Sequence, residues 1–93
     1  MKGKWKMTER TLQKGDIVQH FKREFVAAAS KEYLYRILAI AIHSETEERL
    51  VVYEALYPPY KVYARPYDLF MGEVDREKYP DVKQKYRFEK VEV

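Results

Sequence analysis

Residues 41–70, AIHSETEERLVVYEALYPPYKVYARPYDLF, restrict the folds open to this chain more than any other stretch. Two runs rich in β-branched and aromatic residues flank a polar turn at residues 44–48, so they read as the arms of a hairpin. Pro58-Pro59 must end the second arm, because proline has no N–H to give to a strand ladder. A further short run closes at Arg65-Pro66. Punctuation of this kind specifies a small β-rich domain. It also sets His43, Glu45, Tyr53 and Arg65 at strand ends, where a site could be built.

The remaining segments fit the same plan. Residues 17–21 alternate, with Ile17, Gln19 and Phe21 on one face and Val18 and His20 on the other. Residues 23–32 read as a loop or a single helical turn, and residues 33–43 as a long strand. Apolar side chains on both faces of residues 37–42 predict a central strand covered on two sides. Residues 49–57 and 61–65 are the third and fourth strands. Pro66 then opens a short helix whose inner side is Leu69 and Phe70. Asp75 can cap another turn, and residues 86–93 form a closing strand with Phe88 and Val91 in the core. The expected fold is therefore mainly β. It is an SH3-like barrel or a strongly bent antiparallel sheet, with one or two short helices near the C-terminus.

Length limits where a site can lie. A chain of 93 residues is one domain, and it buries roughly 60–65% of the surface its unfolded form exposes. A groove, a barrel mouth or a dimer seam remain as places for a ligand. The absence of cysteine excludes disulfides, thiolate metal ligands and cysteine nucleophiles. The longest apolar run, residues 37–42, is too short to cross a bilayer, and no apolar stretch follows Lys2, Lys4 and Lys6 as a signal peptide would require. The cytoplasm is the expected compartment, with no membrane partner.

The formal net charge of +3 is unevenly spread. Lys2, Lys4, Lys6, Arg10 and Lys14 against Glu9 give residues 1–14 a charge of +4, so residues 15–93 carry −1. The expected organisation is a basic N-terminal tail, residues 1–14, and a single β-rich domain, residues 15–93. A dedicated DNA-binding domain would carry its basic stripe on the body.

Several chemistries could use the polar residues. His20, His43 and Glu45 have the donor types of a two-histidine, one-carboxylate metal site, and with Arg65 they could serve a small acid–base enzyme. Against this, the histidines lack helical metal-ligand spacing. Ser44, next to His43 in sequence, would point to the opposite face of a strand, so no nucleophile is supplied. No catalytic residue, metal or cofactor is assigned. Nine tyrosines and one tryptophan are the stronger signal, with Tyr53, Tyr57, Tyr60, Tyr63 and Tyr67 near Pro58-Pro59 and Lys61 and Arg65 interleaved. Rings beside cations serve base stacking and peptide grooves, although tyrosines also pack thin cores with their hydroxyls in water. The expected site is a polar-aromatic groove of His20, His43, Glu45, Tyr53, Tyr63 and Arg65, serving binding rather than catalysis. Arg65, held extended by Pro66, would pair with Glu45 or Glu54 there. Nucleic acid and protein are both open as partners, as is a homodimer.

An ordered set of motifs carries a resemblance. GDIVQHFK at 15–22, AIHSET at 41–46, LVVYEALY at 50–57, ARP at 64–66 and RF at 87–88 resemble a family of small bacterial proteins catalogued as a domain of unknown function. The resemblance spans about residues 15–91. It implies a small β-rich domain of the bacterial cytoplasm and no particular activity. Two features depart from the family pattern: residues 23–31 are longer than its short hairpin, and Tyr63 stands where many members carry tryptophan.

Overall fold

The computed structural model describes residues 10–91. Strands β1 (Ile17–His20), β2 (Leu34–Ile42), β3 (Arg49–Ala55), β4 (Val62–Pro66) and β5 (Phe88–Lys90) form one antiparallel sheet in the order β4-β3-β2-β1-β5. A 3-10 turn, Phe21–Phe25, follows β1, and helix α1 (Tyr67–Met71) follows β4. No helix among the described residues is long and apolar enough to cross a membrane.

Alternation decides which face is inside. Val18, Tyr35, Ile37, Val51, Tyr53, Ala55 and Phe88 are buried together, and Phe70 of α1 and Leu12 close over them. Leu69, expected beside Phe70 on the inner side, is 50% exposed. A helix of five residues turns only one narrow side to the sheet, and Phe70 occupies it. A smaller cluster of Phe21, Val74 and Val82 sits under the irregular stretch between α1 and β5. Polar contacts hold that stretch: Asp75 accepts from the Glu77 N–H at 3.0 Å, and the Glu24 carboxylate accepts from the Gln84 N–H at 2.8 Å.

Two expectations about the sheet need correcting. The register slips between Ile37 and Ala39, opposite Tyr53 and Val52, so Leu38 is an extra, bulged residue. Strict alternation through residues 33–43 therefore fails at that point. Beyond the bulge Ile40 and Ile42 are exposed, so β2 is not covered on two sides.

The second correction concerns closure. Four strand spacings of about 4.8 Å would hold β4 and β5 about 19 Å apart in a flat sheet. Instead the Arg65 guanidinium of β4 lies 5.7 Å from the Phe88 ring centre of β5, and Phe88 lies 5.5 Å from Tyr53 of β3. The sheet is rolled into a cup, yet β4 and β5 share no ladder. Of the two expected forms the structure has the bent, open antiparallel sheet, and the SH3-like barrel is not confirmed because no ladder joins the two edge strands. The single α-helix among the described residues follows β4 and is not near the C-terminus.

The end of the basic segment takes part in the fold. Leu12 is 8% exposed and belongs to the core, and Arg10 donates to the carbonyls of Phe88 and Met71, each at 2.8 Å. Its guanidinium lies 3.8 Å from the centre of the Tyr86 ring. Residues 1–9 of the expected tail lie outside the described residues. The chain enters β1 through a turn in which Gly15 takes φ +92°, a region that L side chains avoid.

Candidate functional site

The mouth of the cup is built where β1 ends and β2 begins. His20 is the last residue of β1, and its N–H donates to the Tyr33 carbonyl at 2.9 Å. The Lys22 N–H donates to His20 Nδ1 at 3.1 Å, so the neutral ring carries its proton on Nε2. Phe21, Phe88 and Tyr33 surround the imidazole, with ring centres at 4.2, 5.0 and 5.8 Å. Burial, and then the positive charges of Arg65, Lys22 and Arg87, hold His20 down to about 4. It is a neutral N–H donor at physiological pH.

From there a file of rings crosses the concave face. Tyr35 stands 5.7 Å from Tyr57 and 5.4 Å from Tyr53, which stands 5.5 Å from Tyr63. The Tyr35 and Tyr57 hydroxyls share a hydrogen bond of 2.7 Å. Burial, followed by that bond, pushes the Tyr35 hydroxyl well above the usual tyrosine range. Burial also raises Tyr53, opposed by the Arg65 cation facing it. These phenols are hydrogen-bonding groups, not acids. Tyr63 lies at the rim and is 39% exposed.

Arg65 sits opposite Val51 in the β3–β4 register and projects to the same face as Tyr53 and Tyr63. Among the described residues it has no carboxylate within 4.0 Å; the ion pairs are Arg36–Glu54 and Lys90–Asp16. The expected partner Glu54 is thus taken by Arg36 at 3.5 Å.

His43 and Glu45 lie elsewhere. His43 follows the end of β2, and its Nδ1 accepts from the N–H groups of Glu45 and Thr46 at 3.1 and 3.3 Å. Its backbone closes the hairpin, donating to the Glu48 carbonyl at 2.8 Å and accepting from the Glu47 N–H at 2.9 Å. His20 adjoins the start of β2 and His43 its end, about 30 Å apart at the rise of an extended strand. The expected convergence of His20, His43 and Arg65 therefore holds for His20 and Arg65 only. Glu45 is an exposed turn residue, and the described residues hold no group of three or more metal-ligating side chains. Lys22, Tyr33, Tyr57, Arg87 and Phe88 were missed as mouth residues. Phe88 was expected in the core and Arg87 only within a motif, because the β1–β5 pairing that brings them beside His20 joins residues far apart in sequence.

The rings fill the cup, so this site is a shallow mouth and not a deep pocket. Two hollows lie away from it. One of about 570 Å³ is lined on the outer face by Ile17, Lys31, Leu34, Arg36, Leu56 and Tyr60. Another of about 200 Å³ lies between the hairpin and α1, beside Glu48, Arg49, Tyr67 and Asp68.

Residues 16–90 match the model of a family described as a protein of unknown function, DUF1653. The chain belongs to that family. The DUF1653 span begins one residue before β1 and ends with β5, so it comprises the entire sheet and leaves Arg10 and Leu12 outside. Comparison with curated proteins and with solved structures finds no match.

Proposed function

We propose that this domain is a non-catalytic binding module whose mouth takes single-stranded nucleic acid, with bases against Tyr63 and its neighbours and a phosphate on Arg65. The observation that carries the reading is the setting of Arg65. Its guanidinium lies 5.7 Å from the Phe88 ring centre with no carboxylate within 4.0 Å among the described residues, while Lys22 and Arg87 add positive charge around His20. A cation near a ring and lacking an acidic partner suits an anion that also brings a flat face. The His20 Nε2–H supplies a neutral donor beside it. The metal and acid–base readings lose their support, because His43 and Glu45 serve the hairpin. The chain has no cysteine, in keeping with a cytoplasmic role.

Fluorescence anisotropy with a labelled random single-stranded oligonucleotide tests this. Contacts to two or three phosphates predict roughly a 30- to 100-fold loss of affinity between about 20 and 200 mM salt. An affinity insensitive to salt, or no binding at the lower salt, rejects the reading.

A further inference from the structure

We propose that β4 is a self-pairing edge: it joins β4 of a second copy of this chain, antiparallel and in a register centred on Ala64. This goes beyond the ligand reading and does not depend on it. Among the described residues β4 is the outermost strand on its side of the sheet. The ladder phase follows from the Ala55 N–H, which donates to the Lys61 carbonyl at 2.8 Å. Bonded and non-bonded pairs alternate in an antiparallel ladder, so Tyr63 and Arg65 turn their backbone groups toward β3. Val62, Ala64 and Pro66 therefore direct theirs outward, to the free edge. Pro66, which has no N–H, occupies an outward position where the β3 ladder loses nothing. The flanking side chains are also open, with Tyr60 and Val62 about 60% exposed.

A two-fold axis at Ala64 uses these groups reciprocally. The Ala64 N–H donates to the carbonyl of Ala64 of the partner subunit and the reverse. Each Val62 N–H reaches the carbonyl of Pro66 of the partner subunit. Side chains then match as well: Tyr63 faces Arg65 of the partner subunit in a close non-bonded pair, ring against guanidinium, and the symmetry makes that contact twice. A register centred on Tyr63 would instead set Arg65 opposite Lys61 of the partner subunit, a like-charge pair that opposes it. Tyr63 and Arg65 share the concave face, so pairing joins the two mouths into one continuous surface. A guanidinium lying flat on a ring keeps its in-plane N–H groups for an anion.

The cysteine-free sequence gives a direct test. Facing Ala64 Cα atoms would lie about 5.5 Å apart, inside the disulfide range of about 4.4–6.8 Å. Facing Val62 Cα atoms would lie about 13 Å apart, from four residues of stagger at about 3.3 Å each. Under mild oxidation A64C is expected to form a covalent dimer and V62C to stay monomeric. By sedimentation equilibrium up to about 500 μM, wild type is expected to rise toward twice the chain mass and A64P to remain at one, since the proline removes only an outward N–H. Circular dichroism checks that A64P is folded; if it is not, the cysteine pair decides alone. A wild-type mass that stays at one chain, as it would if another segment of the chain covered the edge, overturns the proposal. So does V62C cross-linking as readily as A64C.

Discussion

His20→Asn isolates the contribution of the buried imidazole to pH-dependent stability. Asparagine keeps a side-chain acceptor for the Lys22 N–H, because it is a good cap residue, but it does not titrate. In the folded chain His20 is held down to about 4, first by burial and then by Arg65, Lys22 and Arg87, against an ordinary value of 6.5. The unfolded chain therefore binds more protons between those values. The stability tied to neutral His20 is fully present above pH 6.5 and is lost as pH falls toward 4. Linkage sets a ceiling of about 2 kcal/mol lost at pH 5 relative to pH 7.5. The ring is partly exposed at the mouth, and solvent screening reduces this to about 1 kcal/mol. Urea unfolding of wild type and His20→Asn at pH 7.5, 6.0 and 5.0 measures the difference, with other titrating groups cancelling between the two proteins. Wild type should lose about 1 kcal/mol more than the variant by pH 5. Parallel curves, or an NMR titration midpoint for His20 at or above 6.5, would refute the buried, cation-flanked setting.

Three further substitutions test the assignment of roles. Arg65→Lys keeps the charge but loses the planar fork, so oligonucleotide affinity should fall about tenfold while the melting midpoint moves by less than about 3 °C; unchanged binding would remove Arg65 as the anchor. His43→Ala should cost about 1 kcal/mol through the unsatisfied Glu45 and Thr46 N–H groups, with no change in oligonucleotide affinity. Leu12→Ala should cost about 2–3 kcal/mol in urea unfolding, although Leu12 precedes the family span; a loss below about 0.5 kcal/mol would mean that residues 10–14 contribute nothing to the core.

Much of the strand plan was legible because its signals are local. Proline at 58, 59 and 66 and the polar turn at 44–48 bounded β3 and β4 to within two residues. Alternation in residues 17–21 correctly set Val18 and His20 on one face. Barrel closure was not legible, since it depends on whether two edge strands meet. Phe70 and Phe88 stack 4.1 Å apart inside the cup, and β4 and β5 remain unjoined. Nor was the bulge at Leu38, because an apolar residue fits either face of an apolar run. Leu12 was read only as an apolar anchor of a loosely docked tail, for the opposite reason. A single leucine among charged neighbours has no period to read, yet it covers a core that the sheet leaves open.

The site divides along the same line. Two histidines with a nearby glutamate looked like one chemical unit, but a histidine two residues before an acid is also what a hairpin turn requires when Nδ1 accepts the following N–H groups. The two imidazoles make the same kind of bond, Nδ1 accepting from a backbone N–H two residues on, at 3.1 Å in each case. What separates them is what the fold places around each ring. His43 stands at an exposed turn, whereas His20 is enclosed by Phe21, Tyr33 and Phe88 with Arg65 across the cup. Phe21 is its sequence neighbour, Tyr33 and Phe88 are its ladder neighbours, and Arg65 alone comes from the opposite edge of the sheet, so that approach follows from the roll of the sheet and from no motif. The same roll sets a guanidinium 5.7 Å from the Phe88 ring centre with no acid within 4.0 Å among the described residues. In the proposed reading, this setting leaves Arg65 able to bond an anionic ligand.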